Sequence, residues 1–185
     1  MSHASVRHAL LAHPAMPAPA VRGLHVTLTA DPALHAWHLR YELAADGRAL
    51  RLPEPASAPG FAEELWRHTC FEAFVGAADG TYHEFNFSPS GHWAAYAFRA
   101  PRQRADAQPR WPTPRLQWAR GNSALTLDAW LPLAALPRGM AADSAVGLSA
   151  VVEAANGHLS YWALAHPGAT PNFHHRAGWT ARAPA

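Results

Sequence analysis

Apolar and polar positions alternate along most of the chain. From Trp37 to Leu43 every odd residue is apolar (Trp37, Leu39, Tyr41, Leu43), with His38, Arg40 and Glu42 between them. This is the period-two signature of a strand with one buried face. Leu24, Val26 and Leu28 alternate with His25, Thr27 and Thr29 in the same way. Further strands are predicted over residues 50–52, 69–76, 81–88, 92–99, 116–120, 124–130, 146–154, 158–165 and 179–182, separated by Gly, Pro, Asn and Asp. Asp46-Gly47 and Asn156-Gly157 have the composition of hairpin turns. Short helical turns fit 61–66 and 132–137, and nothing has the period of an ordinary amphipathic helix. The predicted fold is all-β: a two-sheet antiparallel β-sandwich of the immunoglobulin or jelly-roll kind with about ten strands. Residues 1–20, which contain Pro14, Pro17 and Pro19, read as an extended lead. Residues 21–185 read as a single sandwich domain, with 100–115 as a long exposed loop.

Composition narrows the function classes. A chain of 185 residues with 49% hydrophobic content can bury one sizeable core. The formal charge is only +2, and no block of five or six basic residues appears, so a nucleic-acid partner is not indicated. No stretch approaches the ~20 apolar residues of a membrane span. The first apolar run, Ala9 to Ala12, is too short for a signal-peptide core, so a cytoplasmic location is expected. The single cysteine, Cys70, has no intrachain partner and is expected to be a small buried hydrophobe. The 13 histidines are mostly neutral at pH 7 unless perturbed.

The chemistry concentrates around Glu72. Its strand is apolar at both parities, with Phe71, Ala73 and Val75 on one side and Cys70 and Phe74 flanking Glu72 on the other. A mostly apolar face with one carboxylate is the makeup of a concave ligand face; the alternative is pairing with an Arg or His across the strand. The next strand fits in two ways. A three-residue turn sets Glu72 opposite Glu84, with Tyr82 and Asn86 on its face. A four-residue turn sets it opposite Phe85, with His83 and Phe87. Repulsion between two carboxylates favours the second. Sugars offer hydroxyl rims and apolar C–H faces, so a sugar site combines flat aromatics with groups that bond two hydroxyls at once. Trp66, outside a regular strand and beside Arg67 and His68, is the candidate aromatic. Trp37, Trp93, Trp118, Trp130 and Trp162 share faces with apolar residues, and most of them are expected to be packing residues.

The segments LWRHTCFEAFVG, YHEFNFSPSGHWAAYAF and GHLSYWALAHP together resemble the family 9 carbohydrate-binding module and its DOMON-like relatives, over roughly residues 22–182. That resemblance implies a β-sandwich that binds sugars or, in some branches, haem. It assigns Trp66 and Glu72 to a concave face holding a terminal sugar, Arg99 to the strand after the Ser-Pro turn, and Asn172, Phe173, His174 and His175 to the loop bearing a second aromatic. Glu84 and Asn86 are possible additions. The chain departs from the pattern at His68-Thr69, where an acidic pair is usual, so no calcium is expected. It departs again in the late loop, which carries Phe and His where a Trp is usual. The resulting expectation is non-catalytic binding of a carbohydrate or small polar metabolite, with no cofactor, no metal and no assigned protein partner. Two alternatives stand beside it. Haem or metal binding would draw on Met1, Met16 or Met140 and on histidines, of which the adjacent His174 and His175 form a poor chelate. A glycan-active enzyme would pair Glu72 with Glu84 or Glu153. No serine elbow, phosphate loop or paired-cysteine zinc spacing is present.

Overall fold

Twelve strands carry the chain in a computed structural model that describes residues 5–184. They are β1 (Val6–Ala12), β2 (Val21–Asp31), β3 (Ala36–Ala45), β4 (Cys70–Gly76), β5 (Tyr82–Phe87), β6 (Trp93–Ala100), β7 (Gln103–Arg104), β8 (Arg115–Arg120), β9 (Ala124–Pro132), β10 (Ala145–Glu153), β11 (Leu159–Ala163) and β12 (Ala181–Arg182). All strand pairings are antiparallel, in the order β7-β6-β5-β4-β10-β11-β1-β2-β3-β9-β8, with β12 beside β10. Among the described residues, helical structure is confined to four three-residue 3-10 turns, as a chain so rich in Gly and Pro favours.

This path doubles back into two layers at β1. Val6 to Leu10 pair with β2, while Leu11 and Ala12 pair with β11. One layer is β8, β9, β3 and β2; the other runs from β7 through β4 to β11. A shared core proves the stacking: Leu24, Val26, Leu39, Tyr41 and Leu127 from the first layer cluster with Phe71, Val75, Phe85, Phe87 and Leu148 from the second. The buried Tyr41 hydroxyl donates to the Glu72 carbonyl at 2.8 Å across the gap, and the Tyr41 and Phe71 rings lie 5.0 Å apart. The sandwich expected from the alternation is therefore present.

Three local expectations are corrected. Residues 6–12, read as part of an extended lead, form a full strand whose Leu10 is 3% exposed. Asp46-Gly47 does not open a hairpin: the Asp46 carboxylate accepts from the Arg48 amide and caps a 3-10 turn at Gly47–Ala49, so the return strand shrinks to a single bridge, Leu50 to Ala154. The segment 100–115 is not simply an exposed loop. It carries β7, and Trp111 packs edge-on against Phe85 and His83 beneath the core.

Candidate functional site

The second layer is covered on both faces, which resolves the position of Glu72. Every residue of β4 is buried. Phe71, Ala73 and Val75 enter the inter-sheet core, whereas Phe74 joins a separate aromatic cluster of Tyr82, Tyr96, Phe98 and Trp179 on the opposite face. The turn at 77–81 holds five residues, two more than the shorter register needs. Glu72 therefore pairs with Asn86, and Phe74 with Glu84. Neither expected register is right, and the favoured pairing with Phe85 is overturned. The longer turn keeps Glu84 and Asn86 on the Glu72 face yet offsets the carboxylates by one pair. Asn86 fills the offset, donating from Nδ2 to Glu84 Oε1 at 2.7 Å. On its other side Glu72 faces Ser149, so it has no Arg or His opposite it.

Above this face lies a cavity of about 760 Å³. Glu72 (3% exposed) and Glu84 (6%) form its polar floor. Phe74, Tyr96, Phe98, Val151 and Tyr161 wall it from four strands. Trp66, Phe173 and Pro171 reach it from loops, as do Met16 from the connection after β1 and Arg102 and Arg104 from the segment after β6. Beside the cavity, Gly147 lets the Trp179 indole lie directly on the β10 backbone. A Cβ there would come within 2.7 Å of the indole nitrogen. Trp179 in turn stacks on Phe74 at 5.7 Å and donates to the Phe173 carbonyl at 2.7 Å, which fixes the late loop at the cavity's edge.

The electrostatics follow from burial. Glu72's carboxyl is pushed well above the usual carboxylate range by desolvation and then by neighbouring Glu84; Ser149 beside it works the other way. The Ser149 hydroxyl is itself buried beside Glu72, beneath the cavity rather than in its lining. Glu84 is raised to about 7, again by desolvation, against the pull of Asn86 and then of Arg104 and Arg102. His174 sits 3.7 Å from Glu84 through Nε2, but desolvation and Arg102 push it down to about 4. At neutral pH the imidazole is neutral, so the contact is not an ion pair. The Tyr82 hydroxyl lies 2.7 Å from His174 Nδ1 and accepts from the Arg102 amide at 3.1 Å, which ties the loops together. Cys70 is fully buried next to Asn86, and burial pushes its thiol up, so it is inert packing here.

Of the residues singled out from sequence, the structure brings Trp66, Glu72, Glu84, Phe173 and His174 to one cavity, with Asn86 buried under it. It leaves three outside. Arg99 lies off the cavity face, because its parity on β6 is that of Trp93 and Ala95 rather than of Tyr96 and Phe98, and near the strand's end it is exposed. His175 points away from the cavity, and its Nδ1 accepts from the Ala177 amide at a 3-10 turn. Asn172 braces the loop, accepting from Arg102 Nη2 at 3.2 Å. Glu153 is not the second carboxylate, since it is held by His68 at 2.7 Å and Arg51 at 3.2 Å. Sequence reasoning missed Arg102, Arg104 and Trp179. The period-two argument stops at Ala100, and the arginines lie just beyond it in a segment read as loop.

No family model matches the chain, and no curated protein does. Among solved structures it is similar to a candidate carbohydrate-binding protein from Bacteroides uniformis ATCC 8492. The TM-score is 0.63 at 14% identity, over 94% of this chain and 84% of that one. At that identity the likeness shows a shared fold.

Proposed function

We propose that the protein is a non-catalytic binding module that holds a carbohydrate, or a similarly hydroxyl-rich small molecule, in the cavity over β4, β5 and β10. The observation that carries this is the pairing of aromatic walls with a buried floor of Glu72 and Glu84, braced from beneath by Asn86. Ring faces accept sugar C–H surfaces, and the floor supplies both donors and acceptors to adjacent hydroxyls. The volume suits a mono- or disaccharide among pockets of roughly 300–1,000 Å³. The name of the similar solved structure points the same way. The test is a thermal-shift screen of mono- and disaccharides on the wild type and Glu72→Gln. A sugar that stabilises the wild type should lose about tenfold or more in affinity for the variant. Equal stabilisation of both would remove Glu72 from the site.

A second reading has one observation behind it: Met16 and His174, residue types that ligate haem iron, line the same cavity. His174 would offer Nε2, since Nδ1 faces Tyr82. A Soret band in the purified protein, lost in both His174→Ala and Met16→Leu, would establish this reading and displace the first.

A further inference from the structure

The cavity's two ends differ in charge. Its floor carries Glu72 and Glu84, both shielded from water; its rim carries Arg102 and Arg104, both exposed. Arg104 has a carboxylate partner, Glu63, at 3.3 Å, and lies 3.8 Å over the Tyr96 ring. Arg102 has none among the described residues: its guanidinium meets only the neutral amide oxygen of Asn172 at 3.2 Å. Its backbone is held in place at some cost. Arg102 sits at φ 59°, in the left-handed region unusual for a non-glycine residue, and its amide is secured by the Tyr82 hydroxyl at 3.1 Å. A cation is thus fixed at the mouth with no carboxylate in salt-bridge contact among the described residues. The floor answers it only at a distance: the Arg102 and Arg104 charges are felt at Glu84, whose carboxyl burial nevertheless raises to about 7.

Building on the carbohydrate reading, we infer that the cavity selects an acidic hydroxylated ligand, a sugar carboxylate or a sugar phosphate. Its negative group would lie against Arg102, with Arg104 adjacent, and its hydroxyls would reach the floor of Glu72 and Glu84. A guanidinium meets carboxylate or phosphate oxygens with two parallel donors, a geometry that neutral hydroxyls do not match.

The test is titration calorimetry at neutral pH with glucose, galactose, glucuronate, galacturonate and glucose 6-phosphate. At least one acidic probe should bind about tenfold more tightly than its neutral parent. That advantage should shrink as salt rises from about 0.05 to about 0.5 M, because the rim charge is screened. The carboxylate and phosphate probes separate the two sources of the anion. Arg102→Asn, a residue tolerant of the left-handed backbone, should abolish the acidic probes' advantage over their neutral parents, and Arg102→Lys should restore part of it. If neutral sugars bind as tightly as their acids, the charge inference is overturned and the carbohydrate reading stands. If no probe binds the folded wild type, both are overturned.

Discussion

Glu72 and Glu84 make the site sensitive to pH before any ligand is present. An acid whose folded pKa is raised binds more protons folded than unfolded, so its contribution to stability is complete below its unfolded value and is lost as pH rises through the folded one. For Glu84 that window runs from the ordinary glutamate value to about 7, and Glu72 is shifted in the same direction. His174, lowered to about 4, works oppositely, losing stability as pH falls from its ordinary value. Above about pH 6.5, the unperturbed histidine value, the carboxyls dominate among these three. The melting temperature of the ligand-free protein should therefore fall as pH rises from about 6.5 through about 7, and Glu84→Gln should flatten the fall. An unchanged slope in that variant would remove Glu84 as the cause. Gly147 is a second sensitive residue. Gly147→Ala drives a methyl into the Trp179 indole and should cost about 1–3 kcal/mol, measured by urea denaturation. Of these residues only Glu72 stood out from sequence as anomalous, because a carboxylate among Cys70, Phe71 and Phe74 contradicts its surroundings. Gly147 and Trp179 looked ordinary, since their importance lies in a close approach between residues far apart along the chain.

At the level of elements, strands with one wet face were the most legible. β3 and β9 alternate as expected, and Asn156-Gly157 turns the chain between β10 and β11. Strands covered on both faces lose the alternation, so β4 revealed its existence but not its register, which the five-residue turn at 77–81 decided. β1 was missed for another reason. Its Val6 and Leu11 are exposed, and the prolines that follow suggested a chain leaving the fold rather than entering it. Leu10→Ala tests whether β1 belongs to the domain. Removing a side chain buried in the shared core should cost about 2–5 kcal/mol, whereas a detachable lead would tolerate it. The site's loops were least legible, because hydrogen bonds such as Arg102 to Tyr82 and Asn172 have no period to reveal them.

For the whole molecule, the two layers hold each other through apolar packing and through the buried Tyr41 bond to the Glu72 backbone. Tyr41→Phe leaves the ring and strips the donor from a buried carbonyl, so a loss of about 1–3 kcal/mol is expected on denaturant unfolding. The same variant should weaken ligand binding little, because the bond meets the backbone of β4 and not its cavity face. All-β architecture followed from the spacing of short strands; the layout of layers did not, because pairing partners lie far apart in sequence. That distance has a consequence for biosynthesis. The sheet under the cavity closes only when Ala12 meets Trp162, so β1 leaves the ribosome well before β11 and waits for it, unpaired on that side. Such long-range closure slows assembly, and in the interval the exposed edges of β1 and β4 are where a nascent chain would need shelter from its neighbours.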